Sequence, residues 1–221
     1  MSFSRSVTAP RIDPLVLGSL SDAKLDVLEQ GADLDSLRFT GVRAPRVNLG
    51  GSTVMGCEFQ DVSVTEEFGV ATSSLVEVRF RQLGAPLVRL ARSSMREVEF
   101  DGGRLGAVEA YDVQCRAVRF SSCRVNYLNL RGAQLFDVEF DNCHIDELDL
   151  VQATAQRVRF TQCRVGDLSL HGGTFTDVDL RGAELAGVDG PASLQGVTIS
   201  AEQLALLAPQ LADELGILVL D

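Results

Sequence analysis

Cysteine and histidine are the side chains of this 221-residue chain best suited to chemistry, and their spacing argues against a catalytic pair. The chain has five cysteines and two histidines, and Cys143 directly precedes His144. In an extended segment adjacent side chains point to opposite faces, so this thiol and imidazole cannot form a nucleophile–base dyad. Neither a Cys-x-x-Cys nor a His-x-x-x-His metal spacing occurs.

Carboxylates and glycines offer two weaker signals. A group of four carboxylates could hold a cation through its oxygens, but a solvated acidic face is the simpler interpretation. The four are Glu109, Glu147, Asp149 and Asp167. The glycine-rich run at residues 101–106 falls at predicted coil corners, whereas a phosphate-binding loop lies between a strand and a helix. We therefore predict no enzyme activity, no catalytic or metal residue, and no cofactor.

A strict twenty-residue period dominates the chain and must position every side chain in it. Each period divides into four groups of five, with one apolar centre per group and a second small or apolar residue two positions before it. The phenylalanine centres are Phe80, Phe100, Phe120, Phe140 and Phe160. Self-similarity at a fixed period is typical of solenoids. Apolar sites two apart indicate short extended pieces with one face inward, so four such pieces and four corners would close one coil.

The same register continues backward to Leu34, with a slip of one residue near residues 65–67. We interpret the slip as a bulge at a corner. The 31 centres make nearly eight coils, which at strand spacing would form a rod roughly 37 Å long.

These residues resemble the pentapeptide-repeat family. Its A(D/N)LxG pattern is clearest at residues 32–34, 131–135 and 181–185, and the resemblance covers about residues 32–190. It implies an all-β solenoid, a right-handed quadrilateral β-helix. Some family members resemble a DNA duplex in size and charge and bind DNA gyrase, which they block or protect from quinolones and toxins. In some members, C-terminal elements pair with a second copy.

Both ends of the rod are predicted to carry short helical caps, because a solenoid end exposes apolar core. Residues 1–31 would form an N-terminal segment with a helix starting at Ser21, residues 32–190 the β-helix, and residues 191–221 the C-terminal cap. In that cap a capping box at residues 200–203 starts a helix, Pro209 breaks it in two, and residues 217–220 form a strand. An apolar stripe would either plug the rod or form a homodimer interface. Its members are Leu204, Leu207, Leu211 and Leu215.

Composition limits location and partners. All five cysteines fall on inward positions, which favours reduced core thiols and a cytoplasmic protein. No apolar run approaches the roughly 20 residues of a membrane span, so no membrane association is expected. The net charge is −11, but residues 70–190 carry 17 acidic and 14 basic side chains. A direct nucleic-acid partner is disfavoured, because phosphate contacts need a net positive surface.

The outward residue before each centre defines a distinct surface on each side. On the side with the phenylalanine centres, the Phe side, these residues form what we term the alternating ladder: Arg38, Glu58, Arg79, Glu99, Arg119, Glu139, Arg159 and Asp179. Opposite charges on adjacent strands attract, so we expect a register-fixing surface rather than a binding face. Another side carries only neutral polar residues, which predicts a hydrogen-bonded ladder.

Two further surfaces are candidate binding sites. The first, the Arg strip, consists of Arg104, Arg124, His144 and Arg164. It is either an anion or acidic-partner site or a strip neutralised by aspartates at adjacent corners. The second lies on the side with leucine centres such as Leu90, the Leu side. Apolar and aromatic groups ringed by charge are an interface signal. We term this set the Leu-side patch: Leu87, Glu109, Tyr111, Tyr127, Glu147, Asp149 and Asp167.

Two functions are compatible with these features. The first is a rigid, non-catalytic scaffold that binds a protein partner through one side of the rod. The second is a DNA mimic that binds DNA gyrase, which the family resemblance implies and the acidic composition supports. The nearly neutral rod and the Arg strip favour the scaffold.

Overall fold

Parallel pairing between residues twenty apart builds the fold. Phe100 pairs with Phe80 on one side and with Phe120 on the other, and the same offset recurs through the repeat region. The structure, a computed structural model, describes residues 6–219. In this range the chain forms a parallel β-solenoid of about nine turns with one C-terminal α-helix. The predicted solenoid is confirmed.

Two sheets wrap the rod. The twelve-stranded sheet follows the order Ser21–Asp22, Leu37–Thr40, Glu58–Gln60, Ser74–Arg81, Ser94–Asp101, Gln114–Ser121, Gln134–Asp141, Thr154–Thr161, Thr174–Asp179 and Val197–Thr198, with Asp33–Asp35 and Thr53–Met55 beside this path. The eight-stranded sheet contains Arg43–Asn48, Ser63–Gly69, Gly84–Arg89, Arg104–Glu109, Arg124–Asn129, His144–Asp149, Cys163–Ser169 and Ala183–Asp189. The stack is longer than the nearly eight coils predicted, because it also includes Ser21–Asp22 and Val197–Thr198.

Left-handed residues turn most corners. Within residues 6–219, sixteen non-glycine residues have positive φ, and in the regular coils they lie two positions after a centre. Ala117, with φ 55°, turns the middle of the strand Gln114–Ser121. The corner after Leu105 and its equivalents has no such residue. There Leu87, Ala107 and Tyr127 stay in regular register, so their side chains form an aligned column.

The core is a continuous apolar column. All five phenylalanine centres from Phe80 to Phe160 are buried, and their rings stack on those of adjacent coils with centroids 4.6–5.0 Å apart. The five cysteines are buried and unpaired, as the inward positions predicted. Burial raises the pKa of Cys115 to about 12, so this thiol stays protonated and packs as a small apolar group.

The predicted register slip is a β-bulge. Ser63 pairs with Gly84 and Glu67 with Leu87, so Thr65 and Glu66 together oppose a single residue of the next coil. The same irregularity appears against the preceding coil. One extra residue is therefore absorbed at a corner, and the inward register is restored at Phe68, which is buried.

The N-terminal helix prediction is wrong. Ser21 and Asp22 form a strand that pairs with Leu37 and Arg38, and only a 3₁₀ turn, Leu25–Val27, follows. An end coil offers unpaired backbone groups, and a short parallel strand satisfies them better than a helix lying across it. Before this strand, residues 11–20 have no regular secondary structure and lie along the Phe side, as described below. We term these ten residues the strap.

The C-terminal cap is one helix, Ala201–Glu214, so the break predicted at Pro209 is wrong. The predicted capping box is confirmed: the Ser200 hydroxyl accepts from the Gln203 amide, and the Gln203 side chain accepts from the Ser200 amide. Gln203 also donates 2.7 Å hydrogen bonds to the carbonyls of Leu180 and Ala183, which ties the helix to the last coil. No strand forms over residues 217–219, contrary to prediction, and position 220 lies outside the described residues.

Candidate interaction surfaces

The alternating ladder forms a chain of ion pairs along the Phe side from Arg38 to Glu139, whereas Asp179 at its end pairs with Arg181. Its residues are in register from Arg38 to Asp179, as predicted. Arg79 is representative: its guanidinium lies 2.8 Å from Glu99 and 3.9 Å from Glu58. The Glu58 side chain is only 7% exposed. Such burial is unexpected for a surface ladder; Arg38, Arg79 and Arg81 all lie within 3.9 Å of Glu58, and Glu58 lines one cavity together with the strap.

The strap runs lengthwise along the rod and lies over the alternating ladder. The Arg11 amide donates to Asp137 Oδ1 at 2.9 Å, and the Leu15 amide donates to Glu99 Oε1 at 3.4 Å. The Arg79 guanidinium donates in turn to the Leu15 carbonyl. Ten residues thus connect the coil of Phe140 with the strand at Ser21. Sequence reasoning missed this contact.

Asp137 anchors the far end of the strap. Its side chain is 9% exposed and receives hydrogen bonds of 2.6 and 2.8 Å from the Arg157 guanidinium. That hydrogen bonding, with the Arg11 amide as a further donor, holds the pKa of the Asp137 carboxyl below its usual range. The carboxylate stays charged at neutral pH and accepts three hydrogen bonds.

The Arg strip is stacked as predicted, but its neutralisation differs along its length. Arg104, Arg124, His144 and Arg164 occupy successive coils in one column. His144 pairs with Asp146 at 2.9 Å, and Arg164 pairs with Glu184 at 3.1 Å. Within residues 6–219, Arg104 and Arg124 have no carboxylate within salt-bridge distance. The corner aspartates at 101 and 141 therefore do not neutralise the strip as expected.

The Leu-side patch consists of two adjacent columns and a neighbouring corner. Leu87, Ala107, Tyr127, Glu147 and Asp167 pair in register in the first column. Leu87 and Tyr127 are half-buried, whereas Glu147 and Asp167 are exposed. An apolar centre therefore lies beside an acidic end on one flat strip.

The second column and the corner complete the patch. Their predicted binding residues each interact with an arginine of the rod, which was not predicted. Asp149 is buried and accepts from the Arg131 guanidinium at 2.8 Å, which makes it a structural residue. Glu109 pairs with Arg89 at 3.0 Å. Tyr111 lies at the corner, with the Arg92 guanidinium 5.8 Å above its ring. The carboxylates of the patch therefore differ in burial and in pairing, and they do not form a cage for a cation.

Catalytic residues are not brought together. Cys143 is buried and His144 points outward, as the strand alternation predicted. Across residues 6–219, no group of three or more His, Cys, Asp or Glu side chains could hold a metal ion. No helix of that range is long and apolar enough to cross a membrane.

The C-terminal apolar stripe is split between two roles. Leu207 is 6% exposed and Leu211 packs against the core, so both plug the rod, which is the first of the two predicted alternatives. Leu204 and Leu215 face solvent at 50% and 72%. The following tail adds three more exposed apolar side chains at residues 217–219.

Comparison with known proteins identifies the repeat. Residues 114–189 match the family model described as a pentapeptide repeat region, and the same coil register extends toward the N-terminus beyond that match. Residues 114–189 are thus a pentapeptide repeat region, as the resemblance implied. No curated protein sequence matches it.

Solved structures similar to this chain share little sequence with it. One is a trypsin-treated form of QnrB1, a plasmid-mediated fluoroquinolone resistance protein, at 21% identity over 92% of this chain and 98% of that one, with a TM-score of 0.31. Another is HetL, a pentapeptide repeat protein involved in heterocyst differentiation regulation from the cyanobacterium Nostoc sp. strain PCC 7120. It is 12% identical over 77% of this chain and 90% of that one, with a TM-score of 0.26.

Proposed function

We propose that this pentapeptide-repeat protein is a rigid, non-catalytic scaffold that binds a protein partner through its Leu side. The observation that carries this proposal is the aligned column containing Leu87, Ala107 and Tyr127. These side chains lie on the one regular corner where neighbouring residues stay in strand register. They therefore form a flat, preformed apolar strip, and binding to it requires little ordering of the scaffold.

Charge defines the partner further. Glu147 and Asp167 extend the strip as exposed carboxylates, and the Tyr127 hydroxyl lies 3.5 Å from Asp149. Burial, together with the nearby Asp149 charge, raises the pKa of Tyr127, so its hydroxyl remains a donor at neutral pH. A complementary partner would present an apolar or aromatic anchor beside basic side chains.

Substitution of the strip tests the proposal. We expect Leu87→Arg with Tyr127→Arg to abolish recovery of a specific partner from the native host, because it introduces positive charge and bulk at the apolar centre. Gln134→Arg is the matched control, since Gln134 is exposed on the neutral side of the same rod. Identical sets of bound proteins for both variants would refute a Leu-side partner.

The alternative, gyrase binding by DNA mimicry, is supported by the rod shape and the net charge of −11. A mimic needs a continuous acidic side. The Phe side instead alternates Arg and Glu, and Arg104 and Arg124 project from the next side. We infer a scaffold rather than a mimic and expect no effect of micromolar protein on gyrase supercoiling. Inhibition or quinolone protection at stoichiometric protein would reverse this choice.

We also propose that a second copy covers the C-terminal apolar surface. Leu206 is 69% exposed and Leu218 is 87% exposed, next to Leu204 and Leu215. Light scattering should give a dimer for the native chain and a monomer for Leu206→Lys with Leu218→Lys. A monomeric native chain would remove this part of the proposal. The buried free thiols support our further proposal of a cytoplasmic location.

A further inference from the structure

The strap is held mainly through its own backbone. The Arg11 and Leu15 amides donate to the carboxylates of Asp137 and Glu99, and the Leu15 carbonyl accepts from Arg79. The Val16 side chain is 82% exposed, whereas Ile12, Leu15 and Leu17 are half-buried toward the rod. Main-chain hydrogen bonds together with apolar side chains at set positions are how extended peptides are recognised generally. Nothing in these contacts requires the occupant to come from the same chain.

The carboxylates beneath the strap do not depend on it for charge pairing. Glu99 lies 2.8 Å from Arg79 and 3.8 Å from Arg119, and Asp137 is bonded to Arg157. Removing an occupant from an unpaired buried charge would be costly, but these charges remain paired when the strap leaves. The strap can therefore open without destabilising the rod beneath it.

The strap is also weakly attached relative to the coils. Between residues 11 and 20 the described backbone makes three hydrogen bonds to the rod, whereas each internal strand pairs on both edges. Segments with few buried contacts and many solvent-exposed backbone groups open at the lowest free energy.

We propose that the Phe-side groove between the coils of Phe39 and Phe140 is a docking site for an extended segment of a protein partner, and that the strap is its occupant in the same chain. The partner segment would donate two backbone amides four residues apart to Asp137 and Glu99. It would place apolar side chains where Ile12, Leu15 and Leu17 lie. A basic residue is favoured at the Asp137 end, because Glu77 and Glu97 line the same stretch of groove.

The strap and a free partner segment would compete for the same groove. A tethered strap acts at an effective concentration on the order of millimolar, so a free segment of equal intrinsic affinity would scarcely displace it. The groove would bind well only once the strap is weakened. This docking site is on a different side from the Leu-side patch and does not rest on the function proposed above.

The test weakens the strap and leaves the groove intact. In the full chain, Arg11→Pro with Leu15→Pro removes both donating amides. Val16→Pro is the control, because this residue is exposed and its amide makes no hydrogen bond within the described structure. A fluorescein-labelled peptide with the native sequence of residues 6–20 is titrated by fluorescence anisotropy. Circular dichroism confirms folding, and hydrogen exchange of residues 6–20 reports strap opening.

We expect saturable peptide binding to the double variant, at least tenfold tighter than to the native chain or the Val16→Pro control, and a scrambled peptide should not bind. Adding Glu99→Gln to the double variant should weaken binding severalfold. Absence of binding to an opened strap variant, or equal binding to all chains, would overturn the proposal. Unchanged strap protection in the double variant would also overturn it, since the contacts assigned would not hold the strap. A double variant that forms, without peptide, a larger oligomer than the native chain would make a second copy the occupant instead.

Discussion

Replacing one phenylalanine of the buried stack should lower the free energy of unfolding several times more than replacing a phenylalanine whose ring lies outside the coil. Phe100 is 2% exposed, and its ring centroid lies 4.8 Å from that of Phe80 and 4.7 Å from that of Phe120. Truncating a buried phenylalanine to alanine typically costs about 3–5 kcal/mol. Because neighbouring coils collapse poorly onto a gap in a stacked rod, we expect Phe100→Ala to cost about 4 kcal/mol.

A second substitution separates the stack from simple burial. Each aromatic pair contributes about 0.5–1.5 kcal/mol beyond its buried area, and Phe100 forms two. Phe100→Leu keeps most of the apolar volume but loses both pairs, so we expect a cost of about 1–3 kcal/mol.

Urea unfolding followed by circular dichroism measures both values, with Phe136→Ala as the matched control. Phe136 lies outside the coil, half-buried beneath the Arg116 guanidinium at 5.7 Å, and its loss should cost about 1 kcal/mol. Equal costs for Phe100→Ala and Phe136→Ala would refute the stacked core. If Phe100→Leu and Phe100→Ala lower the free energy of unfolding equally, the apolar volume that leucine retains contributes nothing to stability.

Three further outcomes follow from single positions. Ala117→Gly should raise the free energy of unfolding by about 0.5–1 kcal/mol, because it relieves a left-handed alanine, whereas Ala107→Gly in regular register should lower it by a similar amount; urea titrations of the two variants must differ in sign. Gln203→Ala should cost about 2 kcal/mol, since two carbonyls at the rod end lose their donor, and a change below about 0.5 kcal/mol in urea would show that water replaces it. The hydrogen bond from Arg157 lowers the native pKa of Asp137, so its stabilisation is present above about pH 4 and is lost as pH falls through the lowered pKa. The stability difference between the native chain and Asp137→Asn should therefore be constant from pH 5 to 7 and shrink below pH 4; a difference as large at pH 2 as at pH 7 would contradict the assignment.

The repeat could be predicted from sequence because its determinants are local and redundant. Every inward position of the regular coils repeats the same apolar requirement, so Phe80 through Phe160 fix the coil length many times over. The bulge at Thr65 and Glu66 was predictable for the same reason, since an inserted residue displaces an otherwise constant period. The order of charges in the alternating ladder followed directly from that register.

The strap could not be predicted because it has no period and depends on a distant partner. The Arg11 amide bonds to a carboxylate 126 residues away, and no local pattern encodes that separation. Apolar residues at Ile12, Leu15 and Leu17, close to the prolines at positions 10 and 14, were its main signal. They indicate an extended segment without naming the side on which it lies.

Pro209 shows how packing overrides a local rule. Proline inside a helix removes one hydrogen bond and strains the preceding turn. Leu207 and Leu211 flank it four residues apart, and both must reach the open end of the rod. Only a continuous helix keeps them on one face, so burial of both leucines outweighs the proline defect. Leu204 and Leu215 share that face by their spacing but remain 50% and 72% exposed.

The alternating ladder accounts for the position of the strap. Had the Phe side carried charges of one sign, a neutral backbone segment lying over it would have met repelling, strongly hydrated groups. Alternation instead pairs Arg79 with Glu99 across coils. Each of the two side chains uses some of its hydrogen-bonding atoms in this pair, and its other hydrogen-bonding atoms remain available. Those remaining sites, an acceptor on Glu99 and a donor on Arg79, face outward within one residue width of each other. That arrangement matches the amide and carbonyl of a single extended residue, here Leu15. A ladder whose charges serve the register of the rod is thereby also a surface that recognises peptide backbone.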